Sequence, residues 1–580
     1  MECPSPVPMA SVVKGMTGEG FTVANGSTPE PFNVEVLGVL KDGISSGRDM
    51  IMIKVSDQPG GHVIDQGDGI WGGMSGSPVY VNGKLLGAVA YGFSASPSPI
   101  GGLTPAADMV ELLGLAGADA KKVDKVQKAV KVQLSANARR DLATRASAAT
   151  PKGTLQTLVT PLAVSGIGPK RIDRLQKDVD AAGFSVKAYA AGRVAAPKAN
   201  AVPSSRPVAG GNFASVISYG DVSAGAIGTT TYVCGDQALA FGHPFQRTGP
   251  SQLGANDADI LTVIKDSTYG PYKLGNITSD FGTVDQDRTV GLRADLSSTP
   301  SAADVTTTIR SLDSGKKRTG TTKVVDQAYL AELTTSAVWG NYDATFDEWA
   351  SGTATSEWTI TGKRAGGVPF SVSRSNQWAS QGDVTVDPAF DIASATDAIV
   401  TNEFEDVTID KIAFGSDAAT KFQQLHITRM QVSVNSKAYT SGKAVTVKAG
   451  DKLTIRVSMR PYRGTDTTTT KIKMVVPKSA KGKSGTLSAT GGIDAGSGDE
   501  ELDLGCALLG EGCSDESVGN SFDDVLTSLN AAPRNDAVVA SVYLSSDDDK
   551  GDEDTSTTVS ATKLQKLTVI GERSVDIQVK

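Results

Sequence analysis

The stretch Gly72-Gly73-Met74-Ser75-Gly76-Ser77-Pro78 runs without a break into two apolar segments, Val79-Tyr80-Val81 and Leu85-Leu86-Gly87-Ala88-Val89-Ala90-Tyr91, joined through Asn82-Gly83. Asn-Gly is the strongest short signal for a type I′ hairpin, because both central residues must take positive φ. The hairpin fixes two strands in register, and a glycine-ringed serine sits at its mouth. Glycine there permits positive φ and brings backbone N–H groups close to a bound carbonyl. The pattern therefore reads as a nucleophile loop: Ser75 is the nucleophile, and the N–H groups of Gly73 and Ser75 form the oxyanion hole. The competing reading is a Gly/Ser-rich surface turn. Turn, proline and hairpin occurring together favour the nucleophile.

At 580 residues the chain exceeds what one core supports, so several domains are expected. Its net charge of −8 is spread along the sequence with no Lys/Arg block, which argues against a nucleic-acid partner. Abundant Gly, Thr, Ser and Val with few long periodic helices point to a mainly β protein. No apolar run approaches the roughly 18 residues of a membrane span. The first thirty residues lack the basic and apolar regions of an export signal, so either the chain is cytosolic or its export signal is absent from this sequence. No metal-ligand spacing and no cofactor motif stands out, and none is expected. Among the four cysteines, Cys506 and Cys513 flank a short loop suited to a local disulfide, with two unpaired thiols as the alternative.

Along the chain, residues 1–31 are rich in Pro, Gly, Ser and Thr and read as a lead-in arm. Residues 32–116 form the serine-bearing module: the strand from Asn33 to Leu40, a Lys41-Asp42-Gly43 turn, the strand from Met50 to Val55, the serine hairpin, and a short helix opened by Thr104-Pro105. Asp57, His62, Asp65 and Asp68 lie before the serine. Residues 117–211 read as a linker containing one helix, in which Ile172, Leu175 and Val179 share a face. Residues 212–400 return to strands with a helical insertion. There, Ala238-Leu239-Ala240-Phe241-Gly242-His243-Pro244 places His243 at the end of an apolar strand. Alternating runs from 401 to 490 suit a β-sandwich, with His426 in a structural position, and 491–580 is a further β module. Its acidic loops, Gly498 to Asp503 and Asp547 to Asp554, lack the spacing of a calcium loop and read as solvated.

His243 is one of three histidines, held between Gly242 and Pro244 after an apolar run. A lone histidine is ordinarily a core residue, but the candidate serine has no nearby base in sequence, which brings His243 level as a catalytic candidate. The string Gly-Met-Ser-Gly-Ser-Pro with Asn-Gly-Lys-Leu-Leu-Gly-Ala-Val resembles the nucleophile block of the SpoIVB-type serine peptidases and, more broadly, that of chymotrypsin-like proteases. A second block, from Ser223 to Thr231 and on through Ala240-Phe241-Gly242-His243, resembles the SpoIVB block that carries the catalytic histidine. The resemblance covers about 32–115 and 212–300. It implies Ser75 as nucleophile, His243 as general base and then general acid, and a double β-barrel with the site between the barrels.

The third triad member stays open. Asp57 matches an aspartate shortly before the serine in SpoIVB-type sequences; Asp285 matches the spacing after histidine in ordinary chymotrypsin-like enzymes. Here the serine block precedes the histidine block, the reverse of the SpoIVB order, as in a permutation. Met74 replaces the aspartate of trypsin-like zymogens, and no counterpart of the SpoIVB PDZ domain is recognisable. The sequence thus predicts a mainly β, chymotrypsin-like double-barrel core in permuted order, followed by C-terminal β-sandwich modules. The expected activity is that of a secreted or surface-associated serine endopeptidase acting on protein or peptide, with the C-terminal modules serving binding or cell-wall association. A catalytically silent or self-cleaving protease-like scaffold is the main alternative. A β-rich adhesin in which Ser75 and His243 never meet is the third.

Overall fold

The computed structural model describes residues 3, 5–94, 97–117, 131–181, 183–198, 203–348, 351–496, 520–545 and 556–580. Cys506, Cys513 and both acidic loops lie outside them. The chain is mainly β, as its composition predicts.

Six strands make the first barrel: β1 (Thr17–Thr22), β2 (Glu30–Ser45), β3 (Arg48–Asp57), β4 (Pro78–Val81), β5 (Lys84–Phe93) and β6 (Ile100–Pro105). They pair in the order β4-β1-β2-β3-β6-β5, and β5 returns to β4, so the ring is closed and antiparallel throughout. Closure removes the sheet edges that an open β domain leaves unpaired. Its core holds Phe32, Val34, Ile51, Ile53, Trp71, Met74, Val79 and Val89. Within the Gly-rich opening stretch, β1 uses Gly20 where a Cβ would lie 2.3 Å from the Phe32 ring. Asn82 and Gly83, both at positive φ, make the tight turn between β4 and β5.

Helix α1 (Ala106–Val110) closes this module. The following segment contains β7 (Lys131–Val132), α2 (Ala136–Ala146), β8 (Leu155–Thr157), β9 (Thr160–Ser165), α3 (Pro169–Ala181) and β10 (Val186–Ala190). β8 pairs with the end of β5 in the first barrel, whereas β9 pairs with a strand of the second. Residues 155–165 therefore cross from one barrel to the other.

The second barrel is built from β11 (Asn212–Gly220), β12 (Ser223–Cys234), β13 (Gln237–Ala240), β14 (Gly249–Ile264), β15 (Tyr272–Arg288) and β16 (Gly291–Asp295). The order β12-β13-β16-β15-β14-β11, with β11 also pairing β12, is again a closed antiparallel ring. Leu85, Ala88, Ala106, Met109 and Leu112 of the first module pack against Tyr232, Leu239 and Val290 of the second, which docks the two barrels. A disulfide between Cys3 and Cys234 ties the N-terminal arm to the end of β12.

From β11 the sheet continues through β18 (Lys317–Val324), β17 (Ala303–Ser311), β21 (Thr408–Ala419), β19 (Gly352–Lys363) and β20 (Pro369–Ser380), covered by α4 (Leu330–Phe346) and α5 (Val386–Val400). Beyond it, a four-stranded and a five-stranded sheet enclose one core that includes Ile427, Ile455, Val457, Leu487, Ala540 and Ile577. That core draws on strands either side of residue 490, which itself falls inside the strand Ser484–Gly491.

Candidate active site

The serine loop is pinned to the second barrel by backbone and threonine contacts. Thr229 N–H donates to the Ser75 carbonyl at 2.8 Å, the Thr229 hydroxyl to the Gly73 carbonyl at 2.9 Å, and the Thr231 hydroxyl to the Gly76 carbonyl at 2.7 Å. The approach is so close that a Cβ on Gly76, at φ +97°, would lie 1.9 Å from the Thr229 carbonyl oxygen. Gly73, at φ +93°, leaves room for the stem of Lys273 in the same way.

His243 follows two consecutive residues in the left-handed region, Phe241 at φ +67° and Gly242 at φ +68°. This reversal turns the chain out of β13 and sets the imidazole against the serine. The distance from His243 Nε2 to Ser75 Oγ is 2.8 Å, across 168 residues of sequence. On the other side, Nδ1 lies 2.7 Å from the Pro244 carbonyl. A carbonyl only accepts, so Nδ1 carries the proton and Nε2 is the free acceptor for the serine hydroxyl. Ser75 is 3% exposed and His243 2%. Burial pushes the imidazole pKa down to about 4, against the opposing pull of the Pro244 carbonyl. His62 and His426, by contrast, are exposed.

The backbone of the loop is oriented for an anion. Gly72 donates to the Pro271 carbonyl at 2.7 Å, and its own carbonyl accepts from Lys273 N–H at 2.9 Å. In a trans peptide N–H and C=O point opposite ways, so the Gly73 N–H is turned away from β15. The Met74 carbonyl accepts from Ser77 at 2.8 Å, which turns the Ser75 N–H away from Ser77. Among the described residues neither the Gly73 nor the Ser75 N–H has a partner, whereas Met74 N–H is bonded to Trp71 and Gly76 N–H to Val89.

The two aspartates considered from sequence are engaged elsewhere. Asp57 accepts from the N–H groups of Ile64 at 2.8 Å and Asp65 at 3.0 Å, shaping the loop ahead of the serine. Asp285 takes a bidentate pair from Arg293 at 2.9 and 2.6 Å, and Arg293 also holds the carbonyls of Leu112, Leu115 and Ala116. Neither carboxylate bonds to His243.

Two residues that sequence reasoning passed over support the site instead. Asp287, fully buried at the end of β15, accepts from Phe245, Gln246 and Arg247 N–H at 3.0, 2.6 and 3.0 Å, clamping the loop that follows the histidine. Burial lifts its pKa to about 7 even though those three donors favour the carboxylate. Lys273 is buried under Gly73, its ammonium donating to Asn212 Oδ1 at 3.0 Å and Thr229 Oγ1 at 3.1 Å. Burial lowers its pKa to about 7, outweighing the pull of Asp257. The one available signal for Asp287 was its two-residue spacing from Asp285 on one strand; a lysine inside a barrel has none.

The family model of the SpoIVB peptidase S55 matches residues 1–104. The match covers less than a fifth of the chain, so it shows a likeness of this segment to SpoIVB-type peptidases. The matched segment spans the first barrel to within one residue of the end of β6 and carries Ser75, while His243 lies beyond it. No curated protein and no solved structure matches the chain.

Proposed function

We propose that the chain is a serine endopeptidase in which Ser75 and His243 act as a dyad oriented by the main chain. The observation that carries this reading is the 2.8 Å contact from Ser75 Oγ to His243 Nε2, with Nδ1 committed to the Pro244 carbonyl. In the reaction, Nε2 takes the hydroxyl proton as Oγ attacks the peptide carbonyl. The Gly73 and Ser75 N–H groups receive the developing oxyanion. The imidazolium then gives its proton to the departing amine, and a water repeats the sequence to release the acyl group. The Pro244 carbonyl does the orienting that a triad carboxylate performs elsewhere, and Asp287 holds the adjoining amides so that the carbonyl stays in place.

Labelling by a fluorophosphonate tests this directly. The intact chain should label at one serine, and Ser75→Ala and His243→Ala should abolish labelling while leaving the fold intact by circular dichroism. A chain that is folded but unlabelled, both intact and with the approach to Ser75 opened by substitution, would refute the peptidase reading and leave a protease-like scaffold.

A further inference from the structure

β5 is flanked by β6 as far as Tyr91, which pairs with Gly102, but on its other side β4 ends opposite Ala88, so Ala90 to Phe93 form a strand edge there. That edge is occupied by the chain itself. Leu158 N–H donates to the Ala90 carbonyl at 3.0 Å, and Thr157, Gln156 and Leu155 pair antiparallel with Tyr91, Gly92 and Phe93. The neighbouring residue of β5, Val89, is the one that binds the serine loop, exchanging bonds with Gly76 and Ser77 at 2.8 and 3.0 Å. The segment 155–158 therefore runs along β5 toward Ser75 in the manner of an added strand.

Leu158 is buried in the core cluster that also holds Ile70, Trp71 and Met74. Gly92 makes the space for it, since a Cβ there would lie 2.6 Å from Leu158 Cδ2. One residue on, the Val159 carbonyl oxygen would lie 2.6 Å from a Cβ on Gly72, so the segment packs against the residue before Gly73. Yet neither Gly73 nor Ser75 N–H is bonded to it. It lies along the strand edge that leads to the serine loop without bonding either donor.

We propose that Leu155–Leu158 is a built-in pseudosubstrate. The Ala90–Phe93 edge receives, as an added strand, the part of a substrate amino-terminal to the cleaved bond. The pocket formed by Ile70, Trp71 and Gly92 takes the side chain next to that bond, a leucine or an aliphatic of similar size. The proposal rests on the peptidase reading and adds to it a substrate class and a restraint that substrate must displace. An extended peptide gains affinity once the strap leaves, because apparent binding scales with the fraction of molecules whose groove is open.

The experiment pairs fluorophosphonate labelling with peptide turnover, comparing the intact chain with Leu158→Ala and Leu158→Asp. Both variants should hydrolyse a peptidyl-leucine amide with kcat/KM raised about tenfold or more, chiefly through KM, and a peptidyl-lysine amide should remain a poor substrate. Because Leu158 is a core residue, a second measurement uses the unaltered protein. A peptidyl-leucine boronate should accelerate hydrogen exchange at Thr157 and Leu158, and a peptidyl-lysine boronate should not. Normal Ser75 labelling with unchanged turnover and exchange would overturn the strap while leaving the peptidase. Cleavage between Leu158 and Val159, seen by mass spectrometry, would make the segment a substrate and overturn its role as a restraint. Absence of labelling in every chain would overturn both.

Discussion

Replacing Asp287 by alanine tests how the histidine is held. One carboxylate oxygen accepts Phe245 N–H at 3.0 Å; the other accepts Gln246 at 2.6 Å and Arg247 at 3.0 Å. Alanine orphans all three. A buried N–H without a partner costs about 1–3 kcal/mol. Arg247 is exposed and Phe245 half-buried, so water reaches those two amides, and the full penalty falls on the buried Gln246. The expected loss is about 2–4 kcal/mol, or a fall of about 5–15 °C in melting temperature for a unit of this size. The pH dependence has a definite sign. Burial raises Asp287 from 3.8 to about 7, so between those values the folded chain keeps a proton that the unfolded chain has released. Stability contributed by this group is therefore present near the lower value and is lost as pH rises toward the upper one. The alanine chain lacks that slope, so the gap between the two chains is widest at the acid end and narrows toward neutrality. Calorimetry across that range gives the gap, and fluorophosphonate labelling at neutral pH gives the effect on the dyad. Labelling should slow by tenfold or more, since a displacement of about 1 Å in a catalytic group costs on the order of a hundredfold. An unchanged melting temperature at the acid end, together with unchanged labelling, would refute the clamp.

His243 has its pKa lowered from 6.5 to about 4 by burial, so Ser75 labelling should fall on acidification with a midpoint near the lower value; a midpoint at the ordinary histidine value would show that the imidazole is solvated. For stability the sign is that the contribution of neutral His243 is complete above 6.5 and is lost as pH falls toward 4. Gly76→Ala puts a Cβ 1.9 Å from the Thr229 carbonyl at φ +97°, and should cost more than about 4 kcal/mol or prevent folding. Gly83→Ala, at φ +75° with open space around it, should cost only about 1–2 kcal/mol; equal melting temperatures for the two variants would contradict the barrel contact. Cys3→Ser opens a link across 231 residues and should lower stability by about 2–5 kcal/mol, an effect that reductant on the unaltered chain should reproduce and that would be disproved by a melting temperature indifferent to both.

The parts of the site that could be read from sequence are those whose chemistry is local. Ser75 and His243 each sit at a glycine-marked reversal next to an apolar strand, and both signals lie within about ten residues. The partner of His243 Nδ1 is not legible in the sequence, because it is the Pro244 carbonyl, which has no side-chain signature. Asp57 and Asp285 have the right charge, but their oxygens are satisfied by Ile64 and Asp65 amides and by Arg293. Lys273 was invisible for a related reason: its burial depends on Asn212 and Thr229, far away in sequence. Glycine also hid β1, since the small residues that admit the Phe32 ring make the strand look like a loop. The bridge between Cys3 and Cys234 escaped because spacing draws attention to near neighbours such as Cys506 and Cys513.

The division of the dyad between two barrels has a consequence for biosynthesis. The serine barrel is complete once β6 has been made, while its base is still unsynthesised, 168 residues behind the nucleophile. At about 5–20 residues per second, that delay is roughly 10–30 s. On the dyad proposed above, the nascent chain throughout that interval carries Ser75 without His243, and would be inert toward its own unfolded remainder and its neighbours. The proposed dyad is complete only when Thr229 and Thr231 close on the serine loop, which requires the second barrel to have folded.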